Sequence, residues 1–130
     1  MNGVKLDGKL YYVRKVFNTL EQSFELIEGP NADTMLSGRK ERDLLGTEYT
    51  YQFGVERDPA YPDDYDAFFW AISAPVECHQ VEMPNGQGTL LFDALIRSGR
   101  RVLGGRMNGR NIWTGLVVNF EPIEPQRAPE

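Results

Sequence analysis

The chain has 130 residues, of which 41% are hydrophobic and 25% charged, and its formal net charge is -5. A chain of this length forms one domain that buries roughly two-thirds of its unfolded surface, so it needs no disulfide or structural metal. The composition excludes a disordered chain, the apolar runs are too short to cross a bilayer, and the acidic balance disfavours general nucleic-acid binding.

The first predicted strands are less regular than the later ones. Asp7-Gly8 is a hairpin-turn signal, and residues 8–17 follow it as a strand with apolar side chains on both faces. Residues 23–28 form another strand, in which Phe24 and Leu26 share a face. Residues 29–46 contain several glycines, a proline and polar residues, and we expect them to form the first of two long loops.

The middle of the chain has the clearest patterns. Residues 47–57 predict a strand with one buried and one solvated face, because apolar and polar side chains alternate there. A helix is predicted over about residues 62–73, and it must pack on the sheet because a helix of this length is unstable alone. Its apolar stripe consists of Tyr65, Phe68, Phe69 and Ile72. Its first turn contains Asp63, Asp64 and Asp66, whose negative charges interact favourably with the positive end of the helix dipole.

The last third of the chain adds three strands and the second long loop. Residues 76–83 form a strand whose alternation slips between Cys78 and Val81, which indicates a bulge. Strands over 90–96 and 112–120 flank the loop over 98–111. We therefore expect a mainly β (α+β) protein, an antiparallel β-sandwich or barrel with one flanking helix and two long loops. Residues 1–121 would form this domain, and 122–130 an extended proline-rich arm.

Little in the sequence indicates catalysis. One cysteine and one histidine exclude a zinc site of the Cys/His type within one chain. Adjacent strand residues point to opposite faces, so Cys78 and His79 do not form a nucleophile–base pair, and we expect a buried Cys78 beside an exposed His79. We expect no catalytic residue, metal or cofactor. Residues 1–5 lack the apolar segment of a signal peptide, so the expected compartment is the cytoplasm, which the single cysteine also fits.

Five arginines fall in a stretch that contains no acidic residue: Arg97, Arg100, Arg101, Arg106 and Arg110. The stretch carries a charge of +5, so the rest of a chain whose total is -5 carries -10. Three interpretations stay open. The stretch is a solvated hairpin tip, or a nucleic-acid contact without interleaved aromatic residues, or a basic surface that docks on the acidic surface of a neighbouring copy or partner.

The chain as a whole resembles a known group of proteins. The likeness extends over roughly residues 4–127 and is a pattern of residues without a catalytic signature. It resembles small tail-associated structural proteins encoded in prophages of Gram-positive bacteria. The residues that carry it are Gly38-Arg39, Arg42 to Tyr51, Tyr61-Pro62, Phe69 to Pro75, His79, Val81, Met83-Pro84, Gly86, Trp113 to Leu116, Phe120, Pro122 and Pro125-Gln126-Arg127.

The resemblance implies a non-enzymatic virion component with a tail-tube-like or distal-tail-like fold. Such proteins assemble as rings, commonly hexameric, and contact other tail proteins. The expected location is the host cytoplasm during synthesis and the phage tail after assembly, with neither a membrane nor a nucleic-acid partner. The alternative function is a ligand-binding β module for carbohydrate or single-stranded nucleic acid.

Residue types that are enriched in interface centres suggest where the contacts lie. Trp113 is the expected anchor, whereas Trp70 lies at the flank of the helix stripe and could be part of the core. The candidate interface residues are Arg39, Arg42, Arg100, Arg101, Arg106 and Trp113.

Overall fold

The computed structural model describes residues 3–30, 33–34 and 38–130, with backbone only for 33–34. One helix, α1 (Asp64–Ile72), interrupts a chain of antiparallel strands. The strands are β1 (Val4–Leu6), β2 (Lys9–Tyr11), β3 (Val13–Lys15), β4 (Glu21–Glu28), β5 (Asp33–Thr34), β6 (Lys40–Glu41), β7 (Leu44–Arg57), β8 (His79–Asn85), β9 (Gly88–Leu95), β10 (Val102–Met107), β11 (Arg110–Thr114) and β12 (Leu116–Pro122).

The main sheet curls into a nearly closed barrel. Its strand order is β2-β1-β8-β9-β12-β7-β3, and β4 adds a further pairing to β7. Only Tyr12 separates β2 from β3 along the chain, so the two ends of this path meet in one bent strand. The prediction of a mainly β protein, an antiparallel sandwich or barrel with one helix, is confirmed.

The core fills the inside of this barrel. The alternation predicted for residues 47–57 places Tyr51, Phe53 and Val55 inside, each at most 1% exposed. On the neighbouring strand, Phe120 meets Phe53 edge to face at 5.5 Å, an arrangement that aromatic rings prefer. The buried hydroxyl of Tyr51 has a hydrogen-bond partner, because it donates to the Pro84 carbonyl at 2.8 Å. Burial of alternate side chains therefore fixes the register of the central strands.

Helix α1 packs on the bend between β2 and β3. Its residues Tyr65, Phe68 and Ile72 are buried, and Phe68 meets Tyr11 of β2 at a ring distance of 5.7 Å. The backbone N–H of Tyr12, at the bend itself, donates a hydrogen bond to the Asp64 carboxylate at 2.8 Å. The apolar stripe was therefore predicted correctly. Trp70, however, is 81% exposed and does not belong to the core.

Strand β7 continues past the barrel and pairs with β4 there. The pairing runs from Glu21 opposite Gln52 to Glu28 opposite Leu44. We call β4 and residues 44–50 of β7 the arm. Within the predicted loop over 29–46, strand β5 pairs with strand β6. Strand β7 begins at Leu44, before the predicted loop ends. Residues 31–32 and 35–37 of that loop lie outside the described residues.

The second predicted loop, over residues 98–111, is mostly a β-hairpin. Strands β10 and β11 pair from Val102 opposite Thr114 to Met107 opposite Arg110, with a bulge between Leu103 and Gly105. Asn108 and Gly109 connect them with φ angles of 53° and 75°, values typical of the type I′ turn that favours this dipeptide. The loop prediction was wrong here because glycines and arginines hide the alternation of the two strands.

The structure corrects the prediction for the segment around Cys78. Strand β8 begins at His79 and pairs with β9 without a register shift, so the predicted bulge is absent from this strand pair. The change in the alternation of apolar residues near Cys78 instead marks the start of the strand. His79 is 6% exposed, and Cys78 is only partly buried, the reverse of the expected exposures. His79 lies inside because it shares the inward face of β8 with the buried Val81 and Met83. Its Nδ1 lies 2.7 Å from Oδ2 of Asp7.

Residues beyond β12 lie against the arm. Gln126 donates to the Tyr49 carbonyl and accepts from the Tyr49 N–H, at 2.8 Å and 2.9 Å, and Arg127 forms an antiparallel bridge with Thr47. A side chain at Gly46 would lie 2.5 Å from the Arg127 carbonyl, so glycine permits this close approach. The proline-rich segment is thus partly paired with β7, and its extended shape stays a prediction.

The Asp7 turn yields the first prediction. Burial alone would raise the pKa of Asp7, but hydrogen bonds from His79 and from the Gln80 N–H lower it below 3.8. An acid with a depressed pKa stabilises the fold above its unfolded-state pKa, and this contribution is lost as the pH falls through the folded-state value. Asn tolerates the positive φ of 52° at this position, so the variant Asp7→Asn tests the charge.

We expect Asp7→Asn to lower the free energy of unfolding by about 1 kcal/mol near neutral pH, since the half-exposed carboxylate is screened by solvent. The difference from the wild type should shrink as the pH falls below the ordinary pKa of an aspartate and then through the lower pKa that Asp7 has in the fold. Urea unfolding of both proteins at about pH 7 and about pH 3 measures it. An equal difference at the two pH values would contradict the assignment.

Candidate interface at the arginine-rich hairpin

The β10–β11 hairpin is held on helix α1 by Arg101. Its guanidinium lies over the ring of Phe69 at 4.0 Å and over Trp113 at 4.5 Å. Its Nη1 donates to the Asp66 carboxylate at 2.6 Å, and the Arg101 side chain is only 15% exposed. We call these four side chains the clamp. A planar guanidinium suits this position, because it stacks on rings and binds a carboxylate at the same time.

A second arginine of the hairpin also contacts the start of the helix. Arg110 donates to the Asp63 carboxylate at 3.0 Å and to the Pro62 carbonyl at 3.2 Å. These ion pairs line an open depression of about 440 Å³, whose other walls are Asn111 and Trp113. The acidic residues expected to serve the helix dipole are therefore also the partners of two arginines from the basic stretch.

Sequence reasoning missed this intramolecular pairing. The acidic cluster at the helix start and the acid-free arginine stretch were both visible, and their opposite charges were the available signal. Asp66 and Arg101 are 35 positions apart in the sequence, and local sequence patterns do not predict contacts over such a separation. The Arg101 side chain is mostly covered by its own chain, and the expectation that it contacts a partner stays a prediction.

The other candidate residues fall into two groups. Arg42 is paired with Glu28 at 2.7 Å, at the outer end of the arm, and Arg39 is exposed and also interacts within the chain. Arg100 and Arg106 are exposed on the hairpin side. Arg106 donates to the Gly109 carbonyl at 2.9 Å, whereas Arg100 makes no ion pair with any described residue. Only Arg100 and Arg106 of the hairpin group therefore remain available to a partner.

Polar groups beneath the clamp complete the attachment of the hairpin. The hydroxyl of Thr114 donates to the Glu56 carboxylate of β7 at 3.1 Å. Burial raises the pKa of Tyr65, and the nearby Glu56 carboxylate raises it further, whereas the Arg101 guanidinium opposes the rise. The buried Tyr65 hydroxyl has no hydrogen-bond partner among the described residues, and a tyrosine that stays protonated does not act as a base near neutral pH. This cluster thus fits a structural attachment better than acid–base chemistry.

The described residues lack a metal site and a membrane-spanning helix. No group of three His, Cys, Asp or Glu side chains among the described residues is arranged to hold a metal ion. The described helix is neither long nor apolar enough to cross a membrane.

The clamp yields the second prediction. We expect Arg101→Ala to lower the free energy of unfolding by about 2 kcal/mol, because it removes a shielded charge-assisted hydrogen bond and two cation–π contacts. Arg101→Lys should lose less, since it keeps the charge but not the planar stacking. Arg100→Ala, one position away and exposed, is the matched control and should change stability by less than about 0.5 kcal/mol. Equal urea midpoints for Arg101→Ala and Arg100→Ala would contradict the clamp.

No protein-family model matches the chain, and no curated protein matches it.

Proposed function

We propose that this protein is a non-enzymatic structural subunit of a phage or prophage tail, in the tail tube, distal tail or baseplate region. On this proposal it assembles into rings through its hairpins and strand edges, and it contacts other tail proteins. It is made in the host cytoplasm and ends in the virion. The phage assignment depends on the residue pattern described above, and the assembly assignment has independent support from the structure.

The observation that carries the assembly proposal is a pair of projecting β elements with exposed apolar side chains. Phe24 in β4 is 71% exposed, and Met107 in β10 is 64% exposed. Leu26, Val102 and Leu103 on the same two strands are exposed as well. Each of these strands pairs on one side only among the described residues. Unpaired edges with apolar side chains favour association with another strand.

The alternative function, a ligand-binding β module, has weaker support. A nucleic acid or a sugar would stack on an exposed aromatic ring. Trp113 is half-buried, and its ring is already covered by Arg101 at 4.5 Å. Two arginines that could bind phosphate are instead paired with Asp66 and Asp63. No specific contact in the described structure favours a bound ligand over a protein partner.

Two measurements test the proposed function. We expect native mass spectrometry of the purified chain at increasing concentration to show oligomers that end in one closed stoichiometry, because a head-to-tail contact closes when its rotation permits. We also expect peptides of this chain in purified tail particles of the phage that encodes it. A strictly monomeric chain together with tail particles that lack it would contradict the proposal.

A further inference from the structure

The two faces of β4 differ in chemistry. Phe24 and Leu26 lie on the face shared with Tyr49 and Tyr51 of β7, but beyond the barrel, where nothing described covers them fully. Glu21 and Glu25 lie on the other face, because successive strand residues alternate. Both glutamates are exposed, and neither forms an ion pair with a described residue. A second strand along the edge of β4 would therefore meet an apolar face and an acidic face.

The acidic face also contains an unfavourable pair. Glu25 lies directly opposite Glu48 of β7, and like charges in this position destabilise a sheet. No described cation is paired with Glu48 or with Glu25. A positive side chain brought by a neighbouring strand would relieve this repulsion, so the acidic face favours a basic partner.

Strand β10 has the matching features. Arg106 and Met107 are adjacent and exposed, so their side chains point to opposite faces of the strand. Arg100 adds a second exposed positive charge just before the strand. No acidic residue occurs from Arg97 to Gly115, so the hairpin has no opposing charge of its own. Strand β10 thus has a cation on one face and an apolar side chain on the other, which match the acidic face and the apolar face of β4.

We infer that the edge of β10 in one copy adds to the edge of β4 in a second copy of this chain, with Arg106 toward the glutamate face and Met107 toward Phe24 and Leu26. This inference rests on the proposed self-assembly and specifies its contact. Backbone hydrogen bonds supply affinity in such strand addition, and the alternating side chains supply specificity.

The charges disfavour the two symmetric arrangements. Pairing β4 with β4 would place the Glu21 and Glu25 faces of two copies together, and pairing β10 with β10 would bring two Arg106 side chains together. The contact is therefore between two different surfaces. Repeated from copy to copy, a contact of this type produces a ring or an open filament, depending on its rotation.

A charge-swap experiment tests the contact. Sedimentation velocity over a concentration series compares the wild type with Glu25→Lys, Arg106→Glu and the double variant, and circular dichroism checks that each is folded. We expect each single variant to need a concentration at least about tenfold higher to assemble. The double variant should return toward the wild type, because the two charges are exchanged and attract again. Glu124→Lys and Lys40→Glu, at exposed sites on other segments, are the matched controls and should assemble normally.

Other outcomes separate the contact from the function. If the wild type assembles and the two single variants behave like their controls, the β4–β10 contact is overturned while the proposed function stands. If both single variants fail and the double variant does not recover, the direct pairing of Glu25 with Arg106 is overturned. A wild-type chain that stays monomeric at every concentration also overturns the contact, and the proposed function is then judged by the tail particles alone.

Discussion

Strand β7 is the constraint on which the rest of the structure depends. It has 14 residues and pairs with β12 and the proline-rich segment along one edge, and with β3 and β4 along the other. Its second half lies in the barrel, where Tyr51, Phe53 and Val55 are buried. Its first half forms the arm with β4. Because one continuous strand serves both parts, the arm is anchored in the core and projects with a fixed register.

The arginine clamp fixes the second projecting element in a different way. Strands β10 and β11 form a separate two-stranded sheet, and an isolated hairpin is only marginally stable in water. Arg101 and Arg110 attach it to the helix through Asp66 and Asp63. The net charge of -5 is therefore not simply a basic loop beside an acidic body. Part of that contrast is neutralised within the chain. The exposed charges that form no ion pair with a described residue include Glu21 and Glu25 on the β4 side and Arg100 and Arg106 on the hairpin side.

The sequence predicts the parts of this fold whose pattern is local. The alternation in β7 and the stripe of Tyr65, Phe68 and Ile72 in α1 are visible because a buried face repeats with the period of its element. The β10–β11 hairpin is not visible in this way, since most of its side chains are exposed and its position depends on Arg101 contacting a distant helix. His79 is buried because β8 begins at this residue and its alternate side chains face the core, and its polar partner Asp7 lies in a turn 72 positions away in the sequence.

The candidate site was accordingly predicted only in part. The arginine stretch was identified, but sequence alone did not distinguish Arg101, which is buried in the clamp, from the exposed Arg100 beside it. That distinction requires the positions of Phe69 and Trp113, which come from two different elements. The exposed face of β4 also follows from tertiary structure, because it depends on where the barrel ends along β7.

We propose above all that the edges of β4 and β10 are the surfaces through which copies of this chain associate. Hydrogen exchange followed by mass spectrometry, on the same protein at a dilute and at an assembling concentration, tests it most directly. We expect backbone amides of Glu21–Glu28 and Val102–Met107 to become protected on assembly, while those of helix α1 keep the protection they already have. Protection confined to another surface, such as that around the exposed Trp70, would contradict it.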